Sequence, residues 1–178
     1  MSHGFLPMND THFNPTKLLL AIVLSLTLTS YVQAEVLTGR VMKVADGDTV
    51  TVLDGSNMQH KIRLTGVDAP EKQQAFGQKS KQSLSNWVFN KQVTVEFDKK
   101  DRYGRTLGKI VVNEVDVNLE QIKAGMAWHY KYYQREQTAE DRERYSRAEE
   151  DARSRKIGLW KDIDPLAPWE YRKRKHKR

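Results

Sequence analysis

Three short segments early in the chain, 36–45 (VLTGRVMKVA), 48–53 (DTVTVL) and 60–65 (HKIRLT), are rich in β-branched residues and are parted by Asp46-Gly47 and Asp54-Gly55. Asp-Gly between alternating apolar positions is a strong hairpin signal, so the pattern predicts a three-stranded meander. Farther on, 92–97 (QVTVEF) sends Val93, Val95 and Phe97 to one face and Thr94 and Glu96 to the other, and 107–112 (LGKIVV) pairs with it across Asp101-Arg102-Tyr103-Gly104. Period-two alternation of this kind is what a half-buried strand needs. Five strands result.

The apolar period lengthens between and after these strands. Residues 69–90 place Phe76, Leu84, Trp87 and Val88 at helical spacing, with Pro70 near the start and Asp68 and Glu71 three apart as an acidic capping pair. Residues 118–126 (NLEQIKAGM) open on Asn118 with Gln121 three residues on, and close on Gly125, where a left-handed C-cap is wanted. A third, highly charged helix runs through 138–156, with Tyr145, Ala148 and Ala152 as its buried stripe. Pro165 and Pro168 then break the chain into a basic tail. The elements add up to an α+β fold, a five-stranded OB-type β-barrel with three packed α-helices.

The first 34 residues follow a different pattern. An apolar run at 18–28 (LLLAIVLSLTL) sits behind Lys17 and is followed by Val32-Gln33-Ala34. This reads as a signal peptide over 1–34 with the mature chain starting near Glu35; an uncleaved anchor is the alternative fate. The rest divides into a domain at 35–161 and a Pro-containing basic tail at 162–178. There is no cysteine, so disulfides and thiolate metal sites are excluded. The formal net charge is +7, of which residues 171–178 (YRKRKHKR) carry six. The domain itself is therefore nearly neutral, and the tail reads as a solvated end that meets polyanions and lies apart from any catalytic centre.

Chemistry concentrates in two acidic clusters. Asp48 follows the first Asp-Gly turn, and Asp68 ends the third strand of the same meander, so neighbouring strands can bring both carboxylates to one hard cation, for which Ca²⁺ suits. Arg63 and Arg105 stand near these acids in the proposed topology. Taken singly, each is an ordinary strand or turn residue; beside a carboxylate-bound cation they form a site for a phosphoryl group, because a guanidinium presents a planar fork to phosphate oxygens. His60 and His129 lack the spacing of a metal pair and read as ordinary surface or strand residues, and Trp128 and Trp160 read as core.

Asp46-Gly47-Asp48-Thr49, 62–71 (IRLTGVDAPE), 101–105 (DRYGR), 124–128 (AGMAW) with the tyrosines after it, and 157–160 (IGLW) occur in this order and spacing. In this the chain resembles the staphylococcal nuclease family from about Val36 to Trp160. The resemblance implies a Ca²⁺-dependent nuclease of OB fold acting on DNA and RNA. It implies Asp48, Asp68 and the main-chain carbonyl of Ala69 as metal ligands, where the family's best-known member has threonine at the position of Ala69, and Asp46 close by. Glu71 would orient or deprotonate the attacking water, Arg63 and Arg105 would stabilise charge on the phosphate, and Tyr103 and Arg102 would touch the substrate. Tyr130, Tyr132 and Tyr133 compete for the place beside the base.

Together these readings describe an exported, periplasmic or secreted monomer, free of membrane association once its leader is cut, that needs no protein partner and hydrolyses DNA and RNA. Two other classes compete: a noncatalytic OB module that binds single strands, which would lack the acid and arginine set, and a membrane-tethered adaptor whose basic tail binds anionic lipid.

Overall fold

The computed structural model describes residue 1 and residues 35–177, and the chain divides into two units, 1–33 and 34–178. The expected leader therefore lies outside the described residues. Within the second unit, β1 (Glu35–Val44), β2 (Thr49–Asp54) and β3 (Gln59–Leu64) form the antiparallel meander. β4 (Val67–Asp68) is two residues long and precedes α1 (Gly77–Val88). β5 (Gln92–Lys100) and β6 (Thr106–Val112) form the second hairpin, and β7 (Val115–Asp116) leads into α2 (Val117–Lys123). β8 (Trp128–His129) follows, and a 3₁₀ segment (Lys131–Glu136) comes before α3 (Ala139–Ser154). A second 3₁₀ turn (Gly158–Lys161) and α4 (Pro168–His176) complete the described chain.

The barrel closes because β1 serves two neighbours and β3 meets β6. Residues 35–40 of β1 pair with β5, and residues 39–44 pair with β2. The sheet then returns on itself through parallel pairing of Ile62–Leu64 with Thr106–Gly108. Register shifts at Val41/Lys43 and at Phe97/Lys99 bend the two longest strands, as closure of so small a barrel requires. Val41, Val50, Val52, Ile62, Val93, Val95 and Ile110 point inward and are essentially inaccessible, as the alternation predicts. Phe97 is only half-buried, since it lies beside the shifted register. Each of these buried aliphatic side chains contributes about 1.5–3 kcal/mol on transfer from water.

The helices differ from the expected ones at their starts. Asp68 does not cap a helix: it lies in β4, paired with Trp128 of β8, and α1 begins only at Gly77 behind Phe76, whose φ is 65°. The cap of α2 is Asp116, which accepts a bond from the Leu119 N–H at 3.0 Å, whereas Asn118 is buried. The Asn118 amide accepts from the Ile110 N–H at 3.1 Å and donates to the carbonyls of Thr65 at 3.0 Å and Gly108 at 3.2 Å. A buried amide that ties three strand ends outweighs a local cap, because an unpaired backbone group there would cost about 1–3 kcal/mol. Gly125 does take the left-handed conformation, φ 61°. Tyr145, Ala148 and Ala152 form the buried stripe of α3. The basic tail, expected as a solvated end, is instead a fourth helix, α4. It belongs to a second apolar cluster of Trp128, Ala152, Leu159, Trp160 and Ala167, against which Trp169 packs.

Candidate functional site

The loop between β1 and β2 is held from below. Gln121 of α2 donates to the Gly47 carbonyl at 2.9 Å and to the Ser80 carbonyl at 3.2 Å. A Cβ on residue 47 would come within 1.9 Å of the Ser80 hydroxyl, so glycine is needed for this close approach. The Asp48 N–H donates to Asp46 Oδ1 at 3.2 Å, an Asx turn that starts β2. On the other side, the pairing of β4 with β8 fixes Asp68, and the Tyr130 N–H donates to the Gly66 carbonyl at 2.9 Å. Loop and strand so placed present Asp48 and Asp68, 1% and 0% exposed, toward each other.

Arg63 of β3 joins them. Its guanidinium donates through Nη1 to Asp48 Oδ1 and through Nη2 to Asp68 Oδ1, the latter at 2.7 Å. Asp48 also accepts from the Thr49 hydroxyl at 3.0 Å and, through Oδ2, from the Ala69 N–H at 2.8 Å. Arg63 is thus no solvent-facing strand residue. The fork between two buried carboxylates fixes its plane.

A third cation, absent from the expected set, completes the cluster. Arg172 of α4 donates through Nη2 to Asp68 Oδ2 at 2.7 Å and through Nη1 to Asp68 Oδ1 at 3.1 Å and Glu71 Oε1 at 2.9 Å. The tail therefore does not lie apart from the site. The sequence held a signal for this: Ala167-Pro168-Trp169 reads as a helix start with proline in the first turn, and Trp169 and Arg172 are three apart, on one helix face.

Burial acts against the charges. It pushes the Asp48 carboxyl well above the usual carboxylate range, with Asp46 and Asp68 adding to the rise against the pull of Arg63. Burial also opposes the charge on Arg63, but Asp48 and Asp68 more than offset it and hold its pKa above the ordinary value. Four carboxyl groups (Asp46, Asp48, Asp68, Glu71) thus lie around two guanidiniums, an excess of acids that burial at Asp48 opposes. Oxygen donors of this kind would suit a hard divalent cation in their chemistry. Among the described residues no group of three or more His, Asp or Glu side chains converges at metal-ligand spacing.

The other expected residues stand nearby but make different contacts. Arg105 directly precedes Thr106, the partner of Ile62, so its backbone is beside β3; its guanidinium is held by Asp101 through Nε and Nη2, both at 2.7 Å. Tyr103 is exposed at the turn, with the Arg102 guanidinium 4.9 Å from its ring centre. Of the three tyrosines, Tyr130 is nearest the carboxylates. Burial raises its pKa first, and the Asp68 charge adds to the rise. Its ring stacks on Trp169 at 5.6 Å, whereas Tyr132 and Tyr133 are exposed. His129 is a strand residue, on β8, and not a surface one: it is buried, with Nε2 2.8 Å from Gln137 Oε1.

A closed five-stranded barrel with packed helices, carrying buried acids and a forked arginine, is an OB-type fold. The family model described as staphylococcal nuclease homologue matches residues 61–162. An "uncharacterized endonuclease" of Haemophilus influenzae is 44% identical over 156 residues, covering 88% of this chain and 84% of that protein. The "Protein ParB" of Escherichia coli is 39% identical over 80% of this chain and 82% of its own. A "micrococcal nuclease" of Shigella flexneri is 35% identical over 76% and 80%. The chain belongs to the staphylococcal nuclease family.

Proposed function

We propose that this protein is an exported, Ca²⁺-dependent phosphodiesterase that hydrolyses DNA and RNA without regard to the sugar. The observation that carries the reading is Arg63 forked between the buried carboxylates of Asp48 and Asp68. A purely structural ion pair needs one acid, whereas two acids and an arginine at a barrel rim suit a cation and a phosphate together. Relatives that bear the names endonuclease and micrococcal nuclease support a nucleic acid as the substrate. The apolar run at 18–28 followed by Val32-Gln33-Ala34 supports export to the periplasm or medium.

In this reading Asp48, Asp68 and the Ala69 carbonyl would hold the cation. When bound, the cation neutralises charge on the phosphate oxygens. Glu71 takes the proton of the attacking water as its oxygen bonds to phosphorus, the bond from phosphorus to the sugar oxygen breaks, and the leaving sugar oxygen takes a proton from solvent water. Arg63 turns its fork to the phosphate as negative charge grows there, and Arg105, freed from Asp101, does the same from the next strand. Tyr103 and Arg102 contact the strand beyond the scissile phosphate, and Tyr130, whose pKa is raised by burial and then by the Asp68 charge, meets the adjoining nucleotide.

The test is incubation of the purified protein with single- and double-stranded DNA and RNA in Ca²⁺, in Mg²⁺ and in chelator. All four substrates are cut in Ca²⁺, poorly in Mg²⁺, which demands a stricter octahedral shell, and not in chelator. Cleavage that persists in chelator contradicts the proposal.

A further inference from the structure

We propose that Arg172 is a positioning residue: it holds the Glu71 carboxylate in place, and it competes with a cation for Asp68. The inference rests on the role proposed above for Glu71. It concerns a helix that lies beyond residues 61–162, the part matched by the family model.

Glu71 is poorly held by its own segment. Residues 69–76 form neither helix nor strand, and among the described residues the only side-chain polar contact of the Glu71 carboxylate is Arg172. A glutamate with several rotatable bonds and 38% side-chain exposure samples many rotamers unless something fixes it. General-base chemistry does not tolerate that freedom, since displacement by about 1 Å can cost ~10²-fold in rate.

Arg172 in contrast is anchored. Pro168 opens α4, Trp169 stacks on Tyr130 and meets Trp128 edge-on at 5.3 Å, and the Gln74 amide donates to the Leu166 carbonyl. Trp169 and Arg172 share a helix face, so the packed ring aims the guanidinium at Asp68 and Glu71. An open groove of about 600 Å³, lined by Glu71, Lys72, Tyr171, Arg172, Lys175 and His176, lies alongside, so solvent reaches Glu71 with the helix in place. The same guanidinium covers both oxygens of Asp68. A cation ligated there draws Asp68 away from Arg172 and leaves Glu71 as its remaining partner.

The experiment compares the full chain with Arg172→Ala, Arg172→Lys, Glu71→Gln and the double variant Glu71→Gln/Arg172→Ala. Read-outs are kcat and KM on DNA, Ca²⁺ binding by calorimetry without substrate, and thermal unfolding with tryptophan emission. Arg172→Ala is expected to lower kcat ~10–10²-fold, with KM within about threefold, and Arg172→Lys to recover part of the loss. Calorimetry should show Ca²⁺ bound about threefold more tightly by Arg172→Ala, because Asp68 has lost a competing cation. In the Glu71→Gln background the same change is expected to cost no further rate, since residues acting as a unit are non-additive. A helix that merely props the fold would slow both backgrounds alike. A kcat equal to or above wild type in Arg172→Ala, or a loss tracked by unfolding and not eased by lysine, overturns the inference. If Glu71→Gln itself keeps the wild-type rate, the role of Glu71 fails and Arg172 has nothing to position; if only Glu71→Gln is slow, the inference alone fails.

Discussion

Single residues carry opposite demands here, and His129 shows them most clearly. It is buried on β8, with one ring nitrogen partnered by Gln137 and Nδ1 without a partner among the described residues. Burial lowers its pKa, with Lys131 acting in the same direction against Gln137 and Glu149. A depressed folded pKa means that the unfolded chain takes up the proton first, so this stability is present above the unfolded value of ~6.5 and is lost as pH falls through the folded one. Urea midpoints of wild type and His129→Gln, measured from pH ~7.5 to ~5, should therefore converge on acidification. A constant difference would contradict the assignment. Using the difference between the two curves removes the opposing contribution of Asp48, whose raised pKa favours the fold as pH falls.

At the scale of elements, β8 is held by α3. Glu149 is 2% exposed and accepts the His129 N–H at 3.0 Å, while Lys131 at 3.2 Å and Arg153 at 3.5 Å offset its charge. Removing the acceptor leaves a buried N–H without a partner, while the half-exposed Lys131 and Arg153 turn to water, so Glu149→Ala should destabilise by about 1–3 kcal/mol in urea unfolding. Glu149→Gln should cost less, because an amide oxygen still accepts the His129 N–H; equal losses would mean that the charge matters and the hydrogen bond does not. Elements also divide what was legible in the chain from what was not. Strands β1, β2, β3, β5 and β6 announce themselves because each alternates over a half-buried face. Helix starts mislead, since Asp68, Glu71 and Asn118 have the right types and spacing for caps and are taken by tertiary partners instead. Asp68 pairs across β4 and β8, and Asn118 ties the Thr65, Gly108 and Ile110 backbones. Two-residue strands leave no period to read, so β4, β7 and β8 escape a pattern search.

At the scale of the whole molecule, the site is built from parts far apart in sequence: the Asp46–Asp48 loop, Arg63 on β3, Asp68 on β4 and Arg172 on α4. The first three lie close together in sequence, between Asp46 and Asp68, and so are legible as a cluster, although Asp68 does not end the third strand of the meander but lies beyond it on β4, paired with β8. Arg172 is 104 residues from Asp68, and a tail rich in like charge looks solvated until the tryptophan that docks it is weighed. In the proposed function the buried pair Asp48 and Asp68 would hold the cation on which hydrolysis depends. The most direct measurement is a Ca²⁺ titration of DNA hydrolysis by wild type and by Asp68→Asn, which keeps the side-chain shape and removes the charge. Asp68→Asn is expected to lower kcat/KM ~10³-fold or more and to shift the Ca²⁺ dependence to higher concentration. A variant that cuts DNA within about threefold of wild type, at the same Ca²⁺ requirement, would contradict this role of Asp68.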